Sequence, residues 1–393
     1  MAWPLRDQTC IVGIGQTEFV RWGRITRATE FQLALEAIVA ACKDAGVDVK
    51  DVDGFVTYGQ DRNDPQRVAQ SLGAKQVRFA NIYPGGGKAA AGVVHNAAMG
   101  VFSGTANVVV AYRSLCQGQF GRFGRSSGRA GAPPVGGSSA FWSPFGIMSA
   151  GQSLAMQFKR HMHEYGTTSR QLGAIAVASY KHAQRNPNAV MYGRPLTLED
   201  HQNSRMVVEP YHLYDCCQEN DGACAVIVTS AERAKSLRQK PVYIMGAAQG
   251  SPPIDYMANY TGPFQHWNTS GFADVAKDLY GRAGIGAKDV DVAQLYENFT
   301  GQVLMTIEDF GFAPRGEGGP WVEGGRLEWP NGELPINTSG GNLAEAYIHG
   351  LELVLEATRQ MRGTSTCQVA DAETCLVAAG PSATPSSALM VRR

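Results

Sequence analysis

Two ordered internal matches constrain this chain more than any other feature of it. The segment AGVDVKDVDGFVTYG at 45–59 recurs as AGIGAKDVDVAQLYEN at 283–298, with Lys-Asp-Val-Asp in register and Tyr58 opposite Tyr296. Further along, IYPGGGKAAAGVVHNA at 82–97 lies on INTSGGNLAEAYIHGL at 336–351, pairing Gly86 and Gly87 with Gly340 and Gly341, and His95 with His349. One match alone is chance; two in the same order describe a doubled α/β unit. Such a unit places its ligand where the halves meet, and the positions at which the copies differ mark the chemistry.

The local patterns agree with a doubled unit. CIVGIG is a short buried strand, TEFQLALEAIVAACKDAG at 29–46 has apolar residues at helical spacing and stops at Gly46, and GFVTYG is the next strand. After the GGG turn, KAAAGVVHNAAMGVFSG reads as a small-residue helix packed closely on a sheet, and ANVVVAY at 106–112 as a strand covered on both faces. The order βαβαβ predicts a parallel sheet. From Ser114 to about Gly137 the composition turns to Gly, Arg, Ser and Pro, which opens an insertion. Residues 150–185 are helical in pattern, the sheet resumes with ACAVIVTS at 223–230 and PVYIMGAAQG at 241–250, and the second copy runs from 271 to TCLVAAG. The expected division is an N-terminal half (1–114 and 206–248), an inserted loop subdomain (115–205) and a C-terminal half (249–393).

Composition excludes several function classes. With 35 basic against 35 acidic side chains among 393 residues, nothing favours a polyanion or an acidic membrane as partner. The start, MAWPLRDQTCIVGIGQ, lacks a signal-peptide pattern and no apolar run is long enough to span a bilayer, so the expected location is cytoplasmic. The eight cysteines contain no Cys-x-x-Cys pair and no zinc-type His spacing, which predicts reduced, mostly buried thiols and no metal in this chain.

Most motif matches fail on context. GRSSG at 124–128 has the nucleophile-elbow pattern but no apolar strand before Ser126, and Arg122, Arg125 and Arg129 read as a solvated loop. GGGK at 85–88 has Ile82 and Ala89 where a phosphate loop needs Gly and Ser or Thr, and GIGQTE at 13–18 lacks the third Gly of a dinucleotide fingerprint. His161 and His163 are spaced for different helix faces, and His95 reads as a core histidine. Tyr296 differs. It ends an apolar strand, with Glu297 and Asn298 behind it, where open α/β sheets bind ligands. Tyr347 lies just past the second Gly-Gly turn, near a helix N-terminus, with His349 close by.

At these residues nearly the whole chain resembles the thiolases, most of all their sterol-carrier or lipid-transfer-protein branch. HEYGTTSRQLGAIAVASYKHAQRNPNA at 163–189 is similar to that branch's inserted loop subdomain, LYDCCQENDGACAVIVTSAERA at 213–234 to its Asp-Gly-Ala strand entry, and NTSGGNLAEAYIHG at 337–350 to the thiolase segment Asn-x-x-Gly-Gly followed by Gly-His-Pro. The resemblance implies a thiolase fold, duplicated halves forming a layered α-β-α-β-α core. The chemistry departs from it. A thiolase needs a cysteine nucleophile at the helix after the first Gly-rich turn, and residues 81–92, NIYPGGGKAAAG, contain none. The family's catalytic His aligns with Tyr347, its Asn or His in the Asn-Glu-Ala-Phe type motif with Tyr296, and its second cysteine falls around Ala378, past Cys375.

A thioester cleft without a nucleophilic thiol suits an enolate. The tyrosine replacements, together with QNSRMVVEP and EAYIHG, resemble a subgroup that cleaves steroid side chains in sterol or bile-acid breakdown. That resemblance implies an aldolase releasing propionyl-CoA and a 17-keto steroid from a 17-hydroxy C22 steroid thioester. It implies Tyr347 as oxyanion donor, Tyr296 as base with its proton lowered in affinity or relayed, and Tyr256 in the loop DYMANY as a third catalytic candidate. His349, Asn298, Gly340 and Gly341 are expected to line the substrate site. CoA enters only as part of the substrate. A homodimer flanked by a small OB-fold, zinc-ribbon partner is implied as the working assembly, with the zinc in that partner. Two other readings stay open: a non-catalytic lipid or acyl-CoA binding or scaffold protein, and a residual 3-ketoacyl-CoA thiolase.

Overall fold

A computed structural model describes residues 3–120, 143–147, 149–251, 268–382 and 385–393. The GRSSG motif with its three neighbouring arginines, and Tyr256, lie outside the described residues.

The first half contributes β1 (Thr9–Gln16), α1 (Glu30–Ala45), β2 (Gly54–Tyr58), β3 (Phe79–Tyr83), α2 (Ala90–Phe102) and β4 (Val108–Leu115). Local signals set α1: Thr29 caps its first turn in a reciprocal capping box with Gln32, and Gly46 ends it at φ 75°. Helices α3 (Ala150–Tyr165) and α4 (Ser169–Ala183) follow, then β5 (Asn220–Ser230) and β6 (Val242–Gly250). The second half adds α5 (Ala273–Ala283), β7 (Val292–Leu295), α6 (Thr300–Asp309), α7 (Leu351–Arg362), β8 (Thr374–Ala379) and β9 (Ser386–Arg392).

The duplication is plain in the sheet, whose order is β7-β8-β9-β6-β1-β5-β4-β2-β3. Strands β2, β4, β5 and β1 on one side repeat β7, β8, β9 and β6 on the other. Among the described residues the two sets of strands pair through Cys10–Tyr243 and Ile11–Val242. The expectation of a parallel sheet is corrected here. β2 and β4, like β7 and β8, are parallel, whereas β5 and β9 run antiparallel to both of their neighbours. β9 follows β8 through a short connection, which only an antiparallel pair permits; β5 enters the equivalent slot after the long excursion from Cys116.

Alternate residues of each strand point to different cores. Cys10 and Val12 pack with α1, whereas Ile11 joins a central core with α2 and α7. In the second half Cys375 and Val377 face that same central core, while Leu376 and Ala378 face α5 and α6. The layers are therefore α1, the first sheet, α2 with α7, the second sheet, and α5 with α6. This is the α-β-α-β-α order that the resemblance implied. Since α2 lies between two sheets, it must be slim: a Cβ at Gly92 would come within 2.6 Å of the Tyr83 ring. Among the described residues, no helix is long and apolar enough to cross a membrane.

One repeat pairing fails. α2 starts directly after the first Gly-rich turn, but in the second half a loop, 345–350, separates that turn from α7. His95 therefore sits within α2, edge-on to Trp3, and is not the structural counterpart of His349, which belongs to the loop.

Candidate active site

The two repeat-related tyrosines hold that extra loop from either side. Tyr58 ends β2, is fully buried, and its hydroxyl donates to the His349 carbonyl at 3.4 Å. Tyr296 follows β7 directly, and its backbone N–H donates to the Ala378 carbonyl at 3.0 Å. Its hydroxyl donates to the Tyr347 hydroxyl at 2.6 Å, with the rings 5.9 Å apart. The Tyr347 backbone is fixed in turn by the Asn220 side-chain oxygen, which accepts from its N–H at 2.7 Å.

Glycines make room for this pair. A Cβ on Gly87 would stand 1.7 Å from the Tyr296 hydroxyl, and one on Gly350 would stand 2.7 Å from its ring. The Gly-rich turn that lacks the thiolase cysteine is thus the wall against which Tyr296 rests. Tyr296 is 4% exposed, while Tyr347 is half-buried. Burial raises both phenols well above the ordinary tyrosine value. The expectation that Tyr296 would have its proton affinity lowered is not met; relay is the alternative that fits.

Behind the tyrosines lies a buried carboxyl network. The Glu297 N–H donates to the Asn342 side-chain oxygen at 2.8 Å, and the Asn342 amide nitrogen donates to Glu352. Burial pushes Glu352 up to about 8, and Glu297 and Glu345 up to about 7. Burial thus favours the protonated form of all three carboxyls. On the other side, the Arg113 guanidinium donates to His349 Nδ1 and pairs with Asp61 at 2.9 Å, both charged side chains being fully buried.

Of the residues expected at the site, Tyr296, Tyr347 and His349 are brought together. Asn298 is close in sequence, and its carbonyl accepts from the Cys217 N–H at 3.0 Å. Gly340 and Gly341 are buried at φ 114° and 56°, packed against Ala183 and the Glu297 carboxylate, where a Cβ would meet atoms at 2.8 and 2.1 Å. They shape the turn before the loop. Sequence reasoning did not single out Arg113, Asp61, Asn220, Asn342, Glu352 or the spatial meaning of Gly87. Arg113 did carry a signal, as a charge at the end of the apolar run ANVVVAY. Among the described residues no group of three or more His, Cys, Asp or Glu side chains could hold a metal ion.

Residues 260–391 match the family described as thiolase C-terminal domain-like. The chain is 43% identical to the 17-hydroxy-3-oxo-4-pregnene-20-carboxyl-CoA lyase of Mycobacterium tuberculosis, over 98% of its own length and 100% of that protein's. It is 44% identical to a steroid side-chain-cleaving aldolase of Thermomonospora curvata, over 98% of each. It superposes on a solved structure described as an Ltp2-ChsH2(DUF35) aldolase with a TM-score of 0.90 and 42% identity, covering 99% of this chain and 98% of that one. Fold and site thus define a thiolase-fold protein without the thiolase's nucleophile. Within that superfamily, the chain belongs to the steroid side-chain-cleaving aldolases.

Proposed function

We propose that this chain cleaves a steroid side chain by a retro-aldol reaction, converting a 17-hydroxy C22 steroid CoA thioester into a 17-keto steroid and propionyl-CoA. The observation that carries this reading is the 2.6 Å hydroxyl pair of Tyr296 and Tyr347, in a chain whose relatives are named for that chemistry. The bond to be broken joins a hydroxyl-bearing carbon to the carbon beside the thioester. Its cleavage needs a group to take the hydroxyl proton and another to stabilise the thioester enolate.

Neither phenol has to ionise for this. The substrate hydroxyl passes its proton to the Tyr296 oxygen while Tyr296 passes its own proton along the existing hydrogen bond to Tyr347. Tyr347 in turn protonates the enolate oxygen. The substrate O–H and C–C bonds break, a ketone and an enol thioester form, and the enol becomes propionyl-CoA by tautomerisation. Both tyrosines end neutral. The upward shift of both phenols supports such a relay over a phenolate base. In this reading Tyr296 has the base role, Tyr347 the oxyanion role, and Tyr256 remains a third candidate. Asn298, Gly340 and Gly341 shape the substrate site.

The working assembly in this proposal is a cytoplasmic homodimer with a small OB-fold, zinc-ribbon partner that holds the zinc. A second component in the description of the solved relative supports a partner. β3 supports the dimer: it is an edge strand, with Ile82 55% exposed. An open edge suits a second copy across a two-fold axis.

The residual thiolase reading is disfavoured by the thiols themselves. Burial pushes Cys116 up to about 11 and Cys10, Cys42, Cys216 and Cys367 up to about 12. Cys217, Cys224 and Cys375 are raised further, so none offers the thiolate that acyl transfer needs. The deciding experiment incubates the chain, alone and with its partner, with the 17-hydroxy steroid CoA thioester and looks for ketone plus propionyl-CoA by mass spectrometry. No product in either case sinks the proposal; binding without turnover would favour the scaffold reading.

A further inference from the structure

His349 is held by more devices than any side chain of the site. The Arg113 Nε and Nη2 atoms lie 3.2 and 3.1 Å from its Nδ1. An arginine guanidinium has donors and no acceptor. Nδ1 must therefore offer its lone pair, and the ring's single proton must sit on Nε2. Asp61 fixes the guanidinium through a 2.9 Å ion pair between fully buried groups, and itself accepts from the Ser114 N–H at 3.0 Å. Removing one member of a buried pair is strongly destabilising, although the pair adds little net stability.

The backbone adds to the restraint. His349 has φ 54°, a left-handed conformation uncommon for a residue other than glycine. Its carbonyl is tied to the Tyr58 hydroxyl. Its ring stands edge-on to Tyr347 with centroids 5.2 Å apart, and its Cε1 lies 3.1 Å from where a Cβ on Gly86 would be. The imidazole thus packs against the same Gly86–Gly87 turn as Tyr296 and touches Tyr347, the less buried of the two tyrosines.

We propose that Asp61 and Arg113 are positioning residues that lock His349 as a neutral Nε2–H donor, which joins the Tyr347 hydroxyl in binding the thioester oxygen and takes no part as a base. With Nδ1 occupied by Arg113 and Nε2 already protonated, the ring has no lone pair for a substrate proton. A second proton would set an N–H against the guanidinium, and burial together with Arg113 and Arg62 accordingly holds the imidazole well below the ordinary histidine value. Among the described residues Tyr58 and Tyr347 also face it, and Asp61 acts on it through Arg113. The donor role rests on the aldolase reading; the tautomer does not.

Two measurements on the full chain test this. In nitrogen-15 NMR of histidine-labelled protein, with the His349 signals assigned by their loss in His349→Gln, we expect a protonated Nε2 and a bare Nδ1 that stay unchanged from about pH 5.5 to 8.5, far from the titration of an ordinary histidine near 6.5. A proton on Nδ1, or titration near 6.5, overturns the lock. In kinetics with the partner present, His349→Gln keeps an N–H at the ε position and is expected to lose less than about tenfold in kcat, whereas His349→Leu loses about 100-fold with little change in KM. Equal loss in both, or no loss in either, overturns the donor role. Since Arg113→Gln alone leaves Asp61 uncompensated, the doubly neutral D61N/R113Q serves instead. With Nδ1 released from the guanidinium, it is expected to show both neutral tautomers of His349 in the spectrum and to lower kcat; an unchanged spectrum and kcat would mean that the pair positions nothing. Should the parent chain show no turnover, the aldolase reading falls and the NMR spectrum alone upholds or overturns the lock.

Discussion

The Tyr296 hydroxyl occupies the volume that a side chain on Gly87 would fill, the distance to an added Cβ being 1.7 Å. In a thiolase the corresponding Gly-rich turn leads into the nucleophilic cysteine; here the absent side chain and the tyrosine are two parts of one change. Gly87→Ala should therefore push Tyr296 away from Tyr347 and lower kcat by about 100-fold, the scale of losing one positioned donor. The Gly87→Ala/Tyr296→Phe double variant should be little worse than either single, because both remove the same hydroxyl from the same place. Additive losses in that cycle would show that Gly87 acts elsewhere.

Tyr296→Phe and Tyr347→Phe test the relay directly. Each is expected to cost about 2 kcal/mol or more in transition-state stabilisation, roughly 30-fold in kcat/KM. The double Phe variant should lose little beyond the worse single, as members of one proton chain do. Steady-state rates of the three variants, with thermal melts to show that they remain folded, settle the matter. Activity within a few-fold of the parent in either single variant would remove that tyrosine from the chemistry.

The reach of the sequence follows the range of the interaction involved. Thr29, Gln32 and Gly46 define α1 through contacts a few residues long, so its bounds could be read directly. The strand direction of β5 could not, because it depends on where the chain returns after the long insertion. Tyr296 and Tyr347 were legible because a repeat offers its own reference: each stands where a copy or a thiolase has something else. The His95–His349 pairing misled because the loop 345–350 interrupts the second copy without breaking its local similarity. Arg113 announced itself as a charge at the end of an apolar strand, yet its partner His349 is brought to it only by the fold.

The thiols offer a check that needs no substrate. With burial raising all eight, including Cys217, whose backbone N–H is tied to the Asn298 carbonyl, no cysteine should be ionised at neutral pH. Iodoacetamide at pH 7.5 should alkylate the native chain slowly and should not inactivate it faster than it modifies an unstructured thiol. One cysteine reacting much faster than a free thiol, with parallel loss of activity, would revive the thiolase reading.

The buried carboxyls make the stability of the chain fall on the alkaline side. Burial raises Glu352 to about 8 and Glu297 and Glu345 to about 7, from the ordinary glutamate value of 4.5. A carboxyl whose folded pKa lies above its unfolded one favours the fold in its protonated form. That contribution is complete below the unfolded value, falls progressively as pH rises above about 4.5, and is gone once pH passes the folded value, about 7 for Glu297 and Glu345 and about 8 for Glu352. From pH 6 to pH 9 the loss from Glu352 alone should be on the order of a few kcal/mol. Glu352→Gln keeps the shape and accepts from the Asn342 amide without a charge to bury. It should raise the melting temperature above that of the parent, by a margin several degrees larger at pH 9 than at pH 6. Melts of both proteins across that range are the measurement, and parallel curves would show that Glu352 does not titrate there.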